Sequence, residues 1–308
     1  MNISAEIWKR LPLELRAEIS ENMARKDLTP SEMDAARRLL EPHVEDLAKQ
    51  RQRLGGQLKA GGKLPPPEKV KTRDVVGQML GTSGRNLDKI AAVVDAANVD
   101  HGRFGTLLDI MNRQGKVHDA HRRLRVERDK DRRDRLGPIE GHFNALIFDP
   151  PYEYGNDVAG RSKPDYATMD NEKLLAMASQ VRAWAEDNSH CYLWSPPAVL
   201  PFAFQLMAAF GFDYKMLLTW HKPRFGLGVY FRNQTEHVLF GTRGRLDTRE
   251  CLPNIFGGAM GKHSAKPDEF YELVRRVSYP PYGEGFQRTQ RPDFVNLYID
   301  KDESGRDA

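Results

Sequence analysis

The chain has 308 residues, of which 40% are hydrophobic and 29% charged, and its formal net charge is +4. This length suits one large domain with a smaller one. No apolar run approaches the roughly 20 residues of a membrane-spanning helix, and residues 1–15 lack the apolar stretch of a signal peptide. The two cysteines are isolated in sequence, which excludes a disulfide framework and a structural zinc site. We therefore expect a cytoplasmic protein with no membrane partner and no metal.

The first part of the chain has charged, helical patterning. Thr29, Pro30 and Glu32 predict the start of a helix, with the threonine as N-cap and the proline in the first turn. Pro42 interrupts the apolar periodicity that follows, so we expect it to divide the segment into two helices. Residues 55–68 are rich in Gly and Pro, which predicts a linker.

Residues 71–98 form a compact two-helix pattern. Thr72 can cap the first helix, Gly81 can supply a positive φ for a tight turn, and Thr82 or Ser83 can cap the second helix. This layout predicts a helix-turn-helix, and its plainer alternative is an αα-hairpin in a small bundle. The side chains near the start of the second helix that could reach bases or phosphates are Arg85, Asn86 and Lys89.

A basic stretch covers residues 113–135. Such a stretch is either a solvated helix face or linker, or a surface that contacts phosphates. Residues 28–124, with TRDVVGQMLGTSGRNLDKI and RFGTLLDIMNRQGKVHDAHRRL, resemble the helical DNA-binding core of ParB-like and phage regulatory proteins. The resemblance implies that residues 1–136 form a helical DNA-binding region, in which 113–135 are a basic linker.

From residue 137 onward, aromatic residues, prolines and short apolar runs become frequent. Predicted strands alternate with predicted helices, which indicates an α/β domain over residues 137–308 with helices on both faces of the sheet. Ligands of such sheets gather at the carboxyl ends of the strands. The predicted strands are 143–148, 189–194, 213–220, 236–241 and 294–299, and the predicted helices are 171–185, 200–210 and 267–277.

The apolar strand 143–148 runs directly into Asp149-Pro150-Pro151-Tyr152. The two prolines end the strand and stiffen the backbone, which leaves the Pro150 carbonyl free to accept a hydrogen bond. A carboxylate and a carbonyl that accept both hydrogens of the adenine amine would direct its lone pair at an electrophilic methyl group. Tyr152 would offer a ring on which the base stacks. The plainer alternative is a turn in which Asp149 caps a local backbone group.

This motif and four later blocks, in order, resemble the MT-A family of adenine methyltransferases over residues 143–299. The resemblance implies a Rossmann-like sheet, S-adenosylmethionine as methyl donor and adenine as acceptor, with Asp149, Pro150, Pro151 and Tyr152 as the catalytic residues. The blocks are DPPYEYGN, YATM, CYLWSPP, TWHKPRFGLGVYFRNQTEHVLFGTRG and HSAKPDEFYELV.

Several further roles follow from the resemblance. Lys266 would contact the donor carboxylate or Asp149, and Arg288 would contact the donor ribose or carboxylate. The family's Glu-Leu-Phe-Gly/Ala-Arg is Glu-Gly-Phe-Gln-Arg here, and residues 294–300 replace its closing Trp-x-x-x-Gly-Asn-Glu/Gln. The expected donor-binding residues are Asp149, Lys266, Phe286, Arg288 and Asn296, and the expected substrate-binding residues are Tyr154, Trp220, Lys222, Arg232, Asn233 and Glu236.

Residues 221–232 combine basic and aromatic side chains, among them Arg224 and Tyr230. This composition suits phosphates and unstacked bases, and its plainer alternative is an ordinary surface loop.

Together these features predict an S-adenosylmethionine-dependent enzyme that methylates the exocyclic amine of adenine in DNA. One alternative is an RNA adenine methyltransferase, but a recognition helix fits the major groove of DNA and not that of A-form RNA. Another alternative is a ParB-like DNA-binding regulator with an inactive methyltransferase fold. The sequence leaves a homodimer open.

Overall fold

The computed structural model describes most of the chain, and it divides the chain into two compact units, Met1–Arg128 and Asp129–Ala308. No helix in the described ranges combines the length and the apolar character that crossing a membrane requires. The described residues are 8–14, 16–17, 20–21, 27–58, 71–153, 166–226, 230–261 and 265–301.

The N-terminal unit is helical where it is described. Its core consists of aliphatic side chains from successive helices, including Leu40, Val76, Leu87 and Met111, all of them fully buried. The last helix continues past the boundary between the units. The helices are α1 (Pro30–Leu58), α2 (Thr72–Met79), α3 (Gly84–Val99), α4 (His101–Gln114) and α5 (Val117–Arg135).

The predicted start of α1 is confirmed. A Glu32 carboxylate oxygen accepts hydrogen bonds from the Thr29 backbone N–H at 2.8 Å and from its hydroxyl at 2.9 Å. The predicted break at Pro42 is wrong, because α1 runs through it. Leu40 and Val44 flank the proline and are buried in the core, and this packing offsets the cost of about 3 kcal/mol for a proline inside a helix.

Two predicted linkers contain helix instead. Helix α1 continues to Leu58, so residues 55–58 of the predicted linker are helical, and its residues 59–68 lie outside the described residues. Helix α5 occupies most of the basic stretch 113–135. A solvated helix face was one of the expectations for this stretch, and the helix is anchored because Val117, Ala120 and Leu124 are buried in the core of the N-terminal unit.

Helices α2 and α3 are joined by a tight turn. Gly81 has φ +70°, as predicted, and the Ser83 hydroxyl accepts a hydrogen bond from the Asn86 N–H at 3.2 Å at the start of α3. The predicted cap at Thr72 is wrong: it is the first helical residue, and Lys71 precedes it without a side-chain bond.

The C-terminal unit is a mixed α/β fold with a mostly parallel central sheet, compatible with a Rossmann-like fold. The seven strands lie in the order β6-β4-β5-β3-β2-β7-β8, and β5 runs antiparallel to its neighbours, while β1 and β9 form a separate pair. The strands are β1 (Leu136–Pro138), β2 (Phe143–Phe148), β3 (Ala185–Ser195), β4 (Asp213–Gly226), β5 (Asn233–Arg243), β6 (Ile255–Phe256), β7 (Tyr282–Gly285), β8 (Phe294–Asn296) and β9 (Tyr298–Asp300). The helices are α6 (Asn171–Ala176), α7 (Ala178–Trp184), α8 (Leu200–Ala209) and α9 (Asp268–Val277).

Helices cover both faces of the sheet, as predicted. In β2, Leu146 and Phe148 pack in the cluster that includes residues of α6, α7 and α8. Ala145 and Ile147 point to the opposite face, where they pack in the cluster that contains Phe270 of α9. Because β2 is buried on both faces, it reads as a continuous apolar run rather than an alternating one.

Three elements differ from the sequence prediction. The predicted helix 171–185 is two helices, α6 and α7, which meet at Met177. The predicted strand 294–299 is divided between two sheets, because β8 pairs with β7 and β9 pairs with β1. Strand β7 was not predicted. A Cβ on its Gly283 would lie 2.8 Å from a Leu297 methyl carbon, so close packing requires a residue with low strand propensity.

We predict that Gly77→Ala destabilises the N-terminal unit. A Cβ on Gly77 would lie 2.6 Å from the Gly84 nitrogen and 2.8 Å from the Thr82 carbonyl oxygen, so the α2–α3 turn would have to open. We expect a loss of about 2 kcal/mol. Differential scanning calorimetry of the full chain would show it as a lower melting temperature.

Gly102→Ala is the matched control. Gly102 is also helical, but the nearest atom to its Cβ would be an Asp100 carboxylate oxygen at 3.5 Å. We expect no loss of stability there, since alanine favours the helix by about 1 kcal/mol over glycine. An unchanged melting temperature in Gly77→Ala would contradict the close approach of α2 and α3.

Candidate active site at the carboxyl edge of the sheet

The order of the strands places a crevice beside β2. The chain passes from β2 to β3 on one side, and from the neighbouring parallel strand β7 to β8 on the other. Where such connections diverge, ligands bind outside the carboxyl ends of the strands. Asp149 follows β2 and Phe286 follows β7, so both residues lie at this edge. The end of parallel strand β4 and the start of antiparallel strand β5 reach the same edge, which brings Lys222 and Glu236 there.

Five charged side chains form an alternating ion-pair network at this edge. The Lys266 ammonium lies 3.0 Å from a carboxylate oxygen of Asp149 and 3.0 Å from one of Glu236. Lys222 contacts the other oxygen of Glu236 at 2.6 Å. Arg288 Nε lies 3.4 Å from the other oxygen of Asp149. The structure therefore brings together four predicted site residues around Asp149.

Lys266 is the centre of the ion-pair network. Its side chain is 10% exposed, and its ammonium lies 4.4 Å from the centre of the Trp194 ring. Burial alone would lower the pKa of Lys266, but the carboxylates of Asp149 and Glu236 raise it above its ordinary value. Burial alone would raise the pKa of Glu236, but Lys266 and Lys222 lower it. Both ions therefore stay charged at neutral pH.

The two prolines of the motif hold a tight, buried turn. The Tyr152 N–H donates to the Pro150 carbonyl at 2.9 Å, so this carbonyl is not free as predicted, although a carbonyl oxygen has a second lone pair. The Met169 N–H donates to the Pro151 carbonyl at 2.8 Å. The second bond joins two blocks of the motif pattern, 149–152 and 166–169.

Tyr152 does not present the stacking face that the sequence predicted. Its side chain is 2% exposed, and its hydroxyl donates to the Trp194 carbonyl at 2.9 Å. The ring of Phe202 meets it edge-on at 6.4 Å between ring centres. The ring is enclosed because it packs in the hydrophobic cluster that includes residues of α6, α7 and α8.

A small cavity of about 10 Å³ adjoins Asp149, and it is lined in part by Asp149, Lys266, Phe286 and Arg288. Phe286 has φ +63°, which turns the chain sharply after β7. Asn296, a predicted donor contact, is not among the lining residues. Its side-chain oxygen accepts a hydrogen bond from the Tyr298 N–H at 3.3 Å.

Glu284 lines the same cavity and was not assigned a role from the sequence. Its carboxylate accepts hydrogen bonds from the Tyr271 hydroxyl at 2.6 Å and from the Gln287 amide at 2.9 Å. Burial raises the pKa of Glu284. The Arg291 guanidinium stacks 3.4 Å from the centre of the Tyr271 ring. Its position in the sequence could have indicated a role, because Glu284 is the first residue of the Glu-Gly-Phe-Gln-Arg segment.

The polar groups match the methionine end of S-adenosylmethionine in kind. Lys266 and Arg288 offer cations to a carboxylate, and Asp149 offers an anion to an ammonium group. The cavity between the described residues holds about one water molecule, whereas pockets for ligands of this size have about 300 Å³ or more. A ligand of this size would fit beside Asp149 only after the surrounding side chains had moved apart.

The predicted substrate-binding residues lie in different surroundings. Lys222 and Glu236 belong to the ion-pair network, and Arg232 is exposed. Trp220 is buried, and its indole N–H donates to the Gly258 carbonyl at 3.3 Å. Its contact with a substrate stays a prediction. Asn233 accepts a hydrogen bond from the Thr235 N–H at 3.2 Å. Tyr154 lies outside the described residues.

The three residues of the N-terminal unit that were predicted to contact nucleic acid differ in exposure and in hydrogen bonding. Arg85 is exposed. The Asn86 amide donates to the Thr82 hydroxyl at 3.0 Å, and the Lys89 ammonium lies 3.3 Å from a ring nitrogen of His118. Of the three residues, Arg85 is therefore the exposed one, while Asn86 and Lys89 are half-buried.

No protein-family model matches this chain, and no curated protein matches it. The family relationship indicated by the motifs stays a prediction.

We predict that Lys266→Met destabilises the C-terminal unit in a pH-dependent way. In the wild type, the pKa of Glu236 lies below its ordinary value of 4.5, so its ion pairs stabilise the fold above that pH and are lost as the pH falls through the folded pKa. In the variant, Asp149 and Glu236 lack the shared cation, the pKa of Glu236 rises, and stability is lost as the pH rises through it. We expect a loss of about 3 kcal/mol near pH 8 and a smaller one near pH 5.

Urea unfolding followed by tryptophan emission measures this loss, since Trp184, Trp194 and Trp220 all lie in the C-terminal unit. Lys215→Met is the control, because Lys215 is exposed and 3.7 Å from an exposed Asp213 oxygen. We expect a change of only a few tenths of a kcal/mol there, about the value of a surface pair. An equal loss at both pH values in Lys266→Met would contradict the ion-pair network.

Proposed function

We propose that the protein transfers a methyl group from S-adenosylmethionine to the exocyclic amine of adenine in DNA. The observation that carries this proposal is the Asp149 carboxylate, which a proline-stiffened turn and two cations hold at the carboxyl edge of the sheet, with 14% of its side chain exposed. The order of the MT-A-like blocks and the contact between the first two of them support the same assignment.

The chemistry follows from the acceptors at this turn. The adenine amine is a poor nucleophile because its lone pair is delocalised into the ring. Each Asp149 oxygen has one cationic neighbour and retains lone-pair capacity for an amine hydrogen, and the Pro150 carbonyl retains one lone pair. Accepting both hydrogens moves the nitrogen toward a tetrahedral geometry. Asp149 then accepts the proton that methylation releases and passes it to water.

The residues beside Asp149 suit the donor. S-adenosylmethionine, when bound, supplies the electrophilic methyl group. Lys266 and Arg288 would hold its carboxylate, and the rings of Phe286 and Tyr166 would adjoin its apolar parts. Arg288 already lies 5.1 Å from the centre of the Tyr166 ring. Because the carboxylates keep Lys266 charged, it can exchange Asp149 for a donor carboxylate without losing its proton.

The N-terminal unit supports DNA as the substrate. Helices α2 and α3 are joined by a turn with Gly81, and Arg85 is exposed in the first turn of α3. A helix of this kind enters the major groove of DNA, which is wide enough for it, whereas the major groove of A-form RNA is not. RNA is therefore the less favoured substrate.

A second candidate function is a DNA-binding regulator with an inactive methyltransferase fold. It is favoured by one observation: both Asp149 oxygens have cationic neighbours, and the adjoining cavity is about 10 Å³. Isothermal titration with S-adenosylmethionine separates the two functions. Measurable binding favours the methyltransferase, and a flat titration favours the regulator.

We predict that Asp149→Asn lowers methyl transfer by about 100-fold or more, because the amide cannot take up the amine proton. Tritiated methyl incorporation into duplex DNA, single-stranded DNA and RNA measures the rate and ranks the substrates. We expect DNA affinity to stay within about twofold of the wild type, since the DNA grip is assigned to the N-terminal unit.

Asp187→Asn is the matched control, because this carboxylate is almost fully exposed and lies near the start of β3, at the opposite edge of the sheet from Asp149. Its methyl transfer should equal that of the wild type. Full activity in Asp149→Asn would rule out the proposed role of the carboxylate.

We predict that Arg85→Ala weakens binding to duplex DNA and lowers the slope of log affinity against log salt by about 0.9, the value of one lost phosphate contact. Lys49→Ala is the control, because Lys49 is exposed on α1 in the same unit. Fluorescence anisotropy over a salt series measures both variants. Equal salt slopes in Arg85→Ala and the wild type would contradict a phosphate contact by this side chain.

A further inference from the structure

Three aromatic rings are exposed where β4 and β5 approach each other. Phe225 is 72% exposed, Tyr230 is 93% exposed and Phe231 is 87% exposed. We call residues 223–226 and 230–232 the hairpin tip. In the described part of the chain the next most exposed aromatic ring is Tyr214, and it packs on Phe204 at 4.8 Å between ring centres. The rings of the hairpin tip thus form an unusual concentration of apolar surface.

The charge of the hairpin tip is uniformly positive. Arg224 and Arg232 are exposed beside the three rings, and the tip contains no Asp or Glu. Two copies of this surface facing each other would bring arginines together, which disfavours a self-interface. Exposed rings flanked by cations match the surfaces that bind single-stranded nucleic acid, where bases stack on rings and phosphates meet arginines.

The hairpin tip is continuous with the ion-pair network. Lys222 lies on β4 directly before the hairpin tip, and Glu236 lies on β5 shortly after it. These two residues are bonded to each other, and Glu236 also holds Lys266. The exposed rings and Asp149 therefore belong to the same edge of the sheet.

We propose that the hairpin tip stacks unpaired bases next to the target adenine, so that the substrate is held as a single strand around the reacting base. This inference rests on the proposed function, and it names the part of the substrate that these side chains recognise. Phe225, Tyr230 and Phe231 supply stacking surfaces. Arg224 and Arg232 supply the phosphate contacts.

The test is fluorescence anisotropy of the full chain with a fluorescein-labelled, adenine-containing single-stranded DNA. Tyr230→Ala/Phe231→Ala should lose affinity by about tenfold or more, as expected for lost base stacking. Tyr230→Leu/Phe231→Leu should lose as much, since leucine is apolar but offers no ring. Arg224→Ser/Arg232→Ser should lower the salt slope by about 1.4, which is two contacts at about 0.7 each.

Tyr214→Ala is the control, because it removes an exposed ring from the opposite end of β4 and should leave affinity unchanged. Unchanged affinity in the double alanine variant would overturn the inference, and so would full affinity in the leucine variant. Loss of self-association with unchanged DNA affinity would also overturn it and assign the surface to a second copy.

The same samples, assayed for methyl transfer, separate this inference from the proposed function. If the wild-type protein binds the strand through the rings but transfers no methyl group, base stacking by the hairpin tip is supported and the proposed methyl transfer is contradicted. If the double alanine variant transfers methyl groups with an unchanged KM for single-stranded DNA, base stacking by the hairpin tip is overturned and the proposed methyl transfer stands.

Discussion

The ammonium group of Lys266 lies between the carboxylates of Asp149 and Glu236, and the candidate site depends on this arrangement. A largely buried cation needs partners, because an isolated charge in a low-dielectric site costs several kcal/mol. Lys266 finds these partners in Asp149 and Glu236, and it therefore holds two carboxylates from distant parts of the chain close together. Lys222 and Arg288 then balance the negative charge that remains. The ion-pair network thus links the ends of β2, β4, β5 and β7 to the segment that precedes α9.

The sheet supplies the frame on which this network is built. Strand β7 lies against β2 on the side opposite β3, and this placement sets the turn after Gly285 beside Asp149. A Cβ on Gly285 would lie 2.6 Å from the Phe148 ring, so the close approach of the two strands depends on glycine. The same closeness leaves a cavity of about 10 Å³ beside Asp149. In the proposed function, substrate and donor would therefore compete with the ion pairs that hold the site together.

The parts of this arrangement that local sequence specifies could be predicted. Strand β2 is an apolar run that ends at two prolines, so the position of Asp149 followed directly from the sequence. Strand β7 could not be predicted, because Gly283 and Gly285 are selected by contacts with distant side chains and not by strand propensity. The contacts of the Tyr152 ring with Trp194 and Phe202, and the bond from the Met169 N–H to the Pro151 carbonyl, join residues that are distant in sequence, so no local pattern encodes them.

The central claim is that Asp149 directs a methyl group to the exocyclic nitrogen of adenine. Mass spectrometry of nucleosides tests it most directly, after DNA has been incubated with the full chain and a donor that carries a deuterated methyl group. We expect the heavy methyl group on the exocyclic amine of deoxyadenosine with the wild type and not with Asp149→Asn. A heavy methyl group on another base, or none on any base with protein that binds the donor, would contradict it.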